Sequence, residues 1–134
     1  MKLKLLLLAL VMGLMSCEND RPTVINVETF LIKVDNIVVS EVNETTLPIF
    51  VDFYGVIGTN GCHQSSHFET EVDGKDILIK CFGVRQVGSD LACTGNIVEL
   101  NGERLRLDIG KAGQYFIKVI QPDLSVYEQE LVVN

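Results

Sequence analysis

Leu47-Pro48-Ile49-Phe50-Val51-Asp52-Phe53-Tyr54-Gly55-Val56-Ile57 is the stretch that decides the fold class. Its odd positions Leu47, Ile49, Val51, Phe53 and Ile57 are apolar, while Pro48 and Asp52 fall in the other phase. A period of two places one set of side chains on one face of an extended chain, which is the pattern of a strand with one buried face. Downstream, Asp73-Gly74 sits between two alternating runs and predicts a type I′ two-residue turn, with Phe68 opposite Ile79 and Thr70 opposite Ile77. Asn101-Gly102 predicts a second hairpin, setting Val98 opposite Leu105 inside and Glu99 opposite Arg104 outside as a cross-strand ion pair. Further strands are expected at about 24–34, 114–121 and 124–133.

Composition agrees. After position 16, more than a quarter of the chain is Val, Ile or Thr, alanine occurs only at Ala92 and Ala112, and Met and Trp are absent. Branched side chains suit a pleated surface, whereas helix interiors favour Ala, Leu and Met. Seven to eight short strands with frequent turn signals would leave one greasy face in water as a single open sheet, so a two-layer antiparallel β-sandwich is expected. Gly113-Gln114-Tyr115, entering a late strand, matches the tyrosine corner of immunoglobulin-like sandwiches, in which the hydroxyl bonds a nearby backbone group; a plain half-buried tyrosine is the alternative. The polar stretch 41–46 reads as a surface loop.

The first sixteen residues read differently from the rest. Lys2 and Lys4 precede an apolar run from Leu5 to Val11, too short to span a bilayer but laid out as a secretory signal. Leu14-Met15-Ser16-Cys17 resembles the bacterial lipobox. That resemblance implies a signal peptide over 1–16, cleavage between Ser16 and Cys17, and acyl chains on the Cys17 thiol and the new amino terminus. Each buried CH₂ contributes about 0.8 kcal/mol, so two or three long chains hold a protein to a membrane where one does so marginally. Residues 17–22 would then be a lipidated cysteine and a flexible polar tether, and 23–134 a β-sandwich domain.

Removing the leader leaves about 118 residues, a one-domain length with no room for a second core. Loss of Lys2 and Lys4 takes the net charge from −7 to about −9, which disfavours nucleic acid as a partner.

Cys62, Cys81 and Cys93 remain for an oxidising compartment. Cys81 is in phase with Ile77 and Ile79 and is expected to face the core, while Cys62 and Cys93 sit at strand ends where loops can meet. A Cys62–Cys93 bridge is therefore favoured, with Cys81 pairing to either one the alternative. If the strand starts early, His63, Ser65, His67 and Glu69 share its outward face, and His63, His67 and Glu69 become a candidate metal site. Strand spacing argues against it, because residues four apart along a strand are about 13 Å apart. No Gly-x-Ser-x-Gly, Cys-x-x-Cys or Gly-rich phosphate loop is present, and the chain is not expected to be an enzyme or to hold a cofactor.

The lipobox at 14–17, Asn-Gly-Cys at 60–62, Ala-Cys-Thr at 92–94 and Gly-x-Tyr at 113–115 together resemble the small single-domain β-sandwich lipoproteins of Bacteroidetes. The resemblance implies a lipid-anchored protein of the cell envelope, at the outer membrane, and implies no activity. The expected function is a non-catalytic module that binds or scaffolds another envelope protein or a glycan through loops 59–66 and 87–95. The alternative is a small-ligand or metal-binding protein using the segment 62–69.

Overall fold

The computed structural model describes residues 24–40 and 48–134. The leader, Cys17, the tether and Leu47 lie outside the described residues. Eight strands follow one another without a helix among the described residues: β1 (Asn26–Leu31), β2 (Asn36–Val39), β3 (Ile49–Gly58), β4 (His63–Asp73), β5 (Asp76–Val87), β6 (Val98–Leu107), β7 (Gly113–Ile120) and β8 (Val126–Val133). They form a five-stranded and a three-stranded sheet packed against each other, so the chain is an all-β sandwich.

The long strand β5 organises the larger sheet. Along one edge it pairs with β4, and along the other β1 and β7 share its length, β1 opposite Phe82–Val87 and β7 opposite Asp76–Ile79. The β5–β7 pair is parallel, so the sandwich is not purely antiparallel as its sequence predicts. β8 closes the far edge of β7, and β2-β3-β6 form the second sheet. Ile49, Val51, Phe53 and Ile57 all point inward as the period of two requires, opposite Ile77, Ile79, Cys81, Ile117 and Val119 from the larger sheet.

Both turn predictions need correction. The β4–β5 hairpin closes at Gly74-Lys75, with Asp73 opposite Asp76, Thr70 opposite Ile79 and Phe68 opposite Cys81. Gly74 alone carries a positive φ (62°), as in a type II′ turn with glycine in its first central position. The inner-facing set is unchanged because the slip is two residues, a whole pleat. Asn101-Gly102 makes no turn at all: β6 runs straight through it, and Gly102 is an extra residue between the pairs Phe53–Glu103 and Tyr54–Asn101. With φ of 80° it is a glycine bulge. Val98 and Leu105 therefore do not face each other, and Arg104 pairs across the strands with Asp52 instead of Glu99.

Between β1 and β2 the chain changes sheets. Ile32 N still bonds to Cys81 O in the large sheet, while Asp35 N bonds to Tyr54 O in the small one. Val34, midway, reaches neither ladder; its N–H donates to Gln121 Oε1 (3.0 Å) and its carbonyl accepts from Gln121 Nε2 (3.1 Å). Any side chain at Gly55 would collide with the carbonyl of Lys33 at this crossing.

Candidate functional site

One end of the sandwich gathers the residues that its sequence singles out. Cys62 and Cys93 are joined by a disulfide with their Cα atoms 5.3 Å apart, linking the β3–β4 connection to the β5–β6 connection. The surrounding contacts position them: Gly61 N donates to Thr94 O (2.8 Å) and Gln86 N to Cys62 O (3.0 Å). Asn60 Oδ1 accepts from Cys62 N (3.1 Å) and from His63 Nδ1 (2.9 Å), folding its own loop into an Asx-type turn. Gly61 lies so close to Thr94 that a side chain there would overlap the threonine hydroxyl, itself bonded to Asn96 Oδ1. The Asn-Gly-Cys and Ala-Cys-Thr segments thus meet in space.

The candidate metal ligands do not meet. Ser66 is an extra residue, a bulge between the pairs Ser65–Gly83 and His67–Phe82, and it reverses the phase of β4. His63 and Ser65 precede it and share the inner phase, whereas His67 and Glu69 follow it and lie outside. This corrects the expectation that all four share one face. The His63 ring packs edge-on against Phe30 (5.8 Å between centroids) beneath Gly58 of the opposite sheet. His67 stacks on Phe82 at 4.9 Å and its Nε2 lies 3.8 Å from Glu69 Oε1, both side chains about half exposed. The structure brings His67 and Glu69 together and leaves His63 apart. Among the described residues no group of three His, Cys, Asp or Glu side chains is arranged to hold a metal ion.

Cys81 is free, 1 % exposed and packed with Ile79 and Ile77, in the core-facing position its phase predicts. Burial pushes its thiol up to about 12, with the negative charge of Glu103 adding to the effect. Tyr115 forms the expected corner, its hydroxyl donating to Lys111 O at 2.9 Å. On the outer face of the large sheet, Leu78 and Ile120 lie with Glu69, Glu71 and Lys80 along an open groove of about 540 Å³. Asn60, Thr94 and Gln121, which hold the loops and the crossing together, carry no sequence signal beyond their turn chemistry.

No family model, curated protein or solved structure matches this chain.

Proposed function

We propose that this chain is a lipid-anchored lipoprotein of the cell envelope whose sandwich is a non-catalytic module for binding or scaffolding another envelope protein or a glycan. The observation that carries the location is the Cys62–Cys93 disulfide. Such bridges persist in oxidising compartments, and a chain that reaches one through a leader ending in Leu14-Met15-Ser16-Cys17 is a substrate for lipid attachment. A sandwich whose loops are joined by a disulfide can present its surface with little reorganisation. The outer membrane is the membrane that the family resemblance favours.

Intact-mass spectrometry on protein from its native membrane tests the anchor. The expected mass is that of a chain beginning at Cys17 with added acyl groups, and the Cys17→Ser variant leaves the membrane fraction. A full-length unmodified polypeptide, or a Cys17→Ser protein retained in the membrane, defeats the proposal.

A further inference from the structure

The start of β1 lies at the bridged end. Asn26 pairs with Val87, the last residue of β5, and the Val24 carbonyl lies beside Gly88. β4 begins there too, with His63 opposite Arg85, and β6 begins with Val98 opposite Gly58. Val24, Cys62, Cys93 and Ile97 therefore share one end of the sandwich. The opposite end carries the Gly74-Lys75 turn, the connection 108–112 and the last strand residue, Val133, opposite Gly113.

Cys17 precedes Val24 by seven positions. Fully stretched, seven residues reach about 25 Å. β5 alone, which has 12 residues running from one end of the body to the other, is about 40 Å long. A membrane anchor at Cys17 can therefore draw the Val24 end onto the bilayer, but cannot stand the molecule with its far end down.

The surface at that end suits a lipid boundary. Val24, Ile25, Val27 and Ile97 are exposed at 72, 49, 60 and 64 %. Isolated apolar side chains on a surface are ordinary, and the far end exposes two, Val72 and Val132, at 61 and 51 %; the end where the tether begins exposes four. The broad outer face of the large sheet sets Glu69, Glu71, Glu128 and Glu130 around Leu78, Ile120, Lys80 and Lys118, and its four carboxylates lose hydration if pressed flat onto headgroups.

We propose that the disulfide-bridged end of the sandwich, with Val24, Ile25, Val27 and Ile97, faces the lipid surface that holds Cys17, and that the Gly74-Lys75 end points away from it. The inference rests on the reading that Cys17 is acylated. It moves the partner-facing surface from loops 59–66 and 87–95, which it turns toward lipid, to the opposite end of the molecule.

The test uses the protein as purified from its native membrane, reconstituted in vesicles of phosphatidylethanolamine and phosphatidylglycerol doped with a headgroup spin-labelled lipid. A fluorophore is attached at Ile97→Cys or, separately, at Lys75→Cys, both outside the core; Cys81 is too buried to take the label. The spin-labelled lipid is expected to quench most of the Ile97→Cys emission and to leave the Lys75→Cys emission largely intact. Equal quenching means that the module lies flat, quenching at Lys75→Cys alone means that it is inverted, and absence of quenching at both in vesicle-bound protein means that it stands clear of the surface. Each of these overturns the orientation while the anchor survives. Protein that does not sediment with the vesicles overturns the anchor reading and the orientation with it.

Discussion

Gln121 shows what one side chain does for a chain that leaves one sheet for the other. It is 7 % exposed, and among the described residues it is the one buried polar side chain. Its carboxamide oxygen accepts from the Val34 N–H and its amide nitrogen donates to the Val34 carbonyl, the two partners that the backbone of Val34 lacks where no strand lies alongside. Gln121→Leu keeps the bulk and removes both bonds. At roughly 1–3 kcal/mol for each of the two buried backbone groups left unpaired, a loss of about 2–6 kcal/mol is expected, read as a lower urea midpoint with an unchanged slope. A loss below about 0.5 kcal/mol would mean that water reaches Val34 and that the crossing does not depend on the amide. Cys81 gives a second expectation at this scale. Buried and held protonated, it should resist a thiol reagent at neutral pH in the folded protein and react promptly once the chain is unfolded without reductant. Rapid labelling of the folded protein would place it nearer the surface than the packing of Ile77 and Ile79 around it allows.

At the scale of strands, the pair β3–β6 links charge to pH. Arg104 donates to both carboxylate oxygens of Asp52 (2.7 and 2.9 Å), which holds the Asp52 carboxyl below its ordinary 3.8. A carboxyl with a lowered folded-state value supports the fold fully above its unfolded value and loses that support as pH falls through the folded one. Asp52→Asn should therefore lower the melting temperature at pH 7 and have a diminishing effect as the pH is taken down past 3.8. A difference from the parent protein that grows on acidification would mean that Asp52 opposes the fold at neutral pH. The same two strands show where sequence reading succeeds and where it stops. Side-chain period is local, so the inward set on β3 and the core position of Cys81 can be read from the residues alone. Pairing is not local. Asn-Gly satisfies a hairpin turn and a glycine bulge equally, because both ask for a positive φ; only the presence of β3 alongside β6 decides for the bulge. The extra residue at Ser66 is silent for the same reason, and with it goes the supposed common face of His63 and His67. The bridge could be reached because it needs only two strand ends at one side of the fold.

The disulfide acts on the whole molecule. It joins residues 31 apart, and the enclosed segment contains all of β4 and β5. Constraining the unfolded chain over a loop of that size is worth about 4 kcal/mol by the chain-entropy relation, against a total of roughly 5–15 kcal/mol for a domain of this kind. Two outcomes of the Cys62→Ser/Cys93→Ser double variant are physically distinct. If the bridge served only to pin the loop ends, its removal would fray residues 60–63 and 86–94, raising hydrogen exchange there while leaving the urea midpoint in place. β5, however, is the strand to which β1, β4 and β7 all pair, and its inward side chains Ile77, Ile79 and Cys81 are core. Nothing in the ring can come loose without opening the large sheet, so the cost should appear in the global transition as a loss of about 3–4 kcal/mol. The β4–β5 hairpin keeps its own turn and its ladder to Asp73–Asp76, which predicts that the double variant still folds, with a lower midpoint and one cooperative step. Exchange confined to the bridged end at an unchanged midpoint would show that this end is a separately yielding unit, and the ring would then carry none of the stability assigned to it.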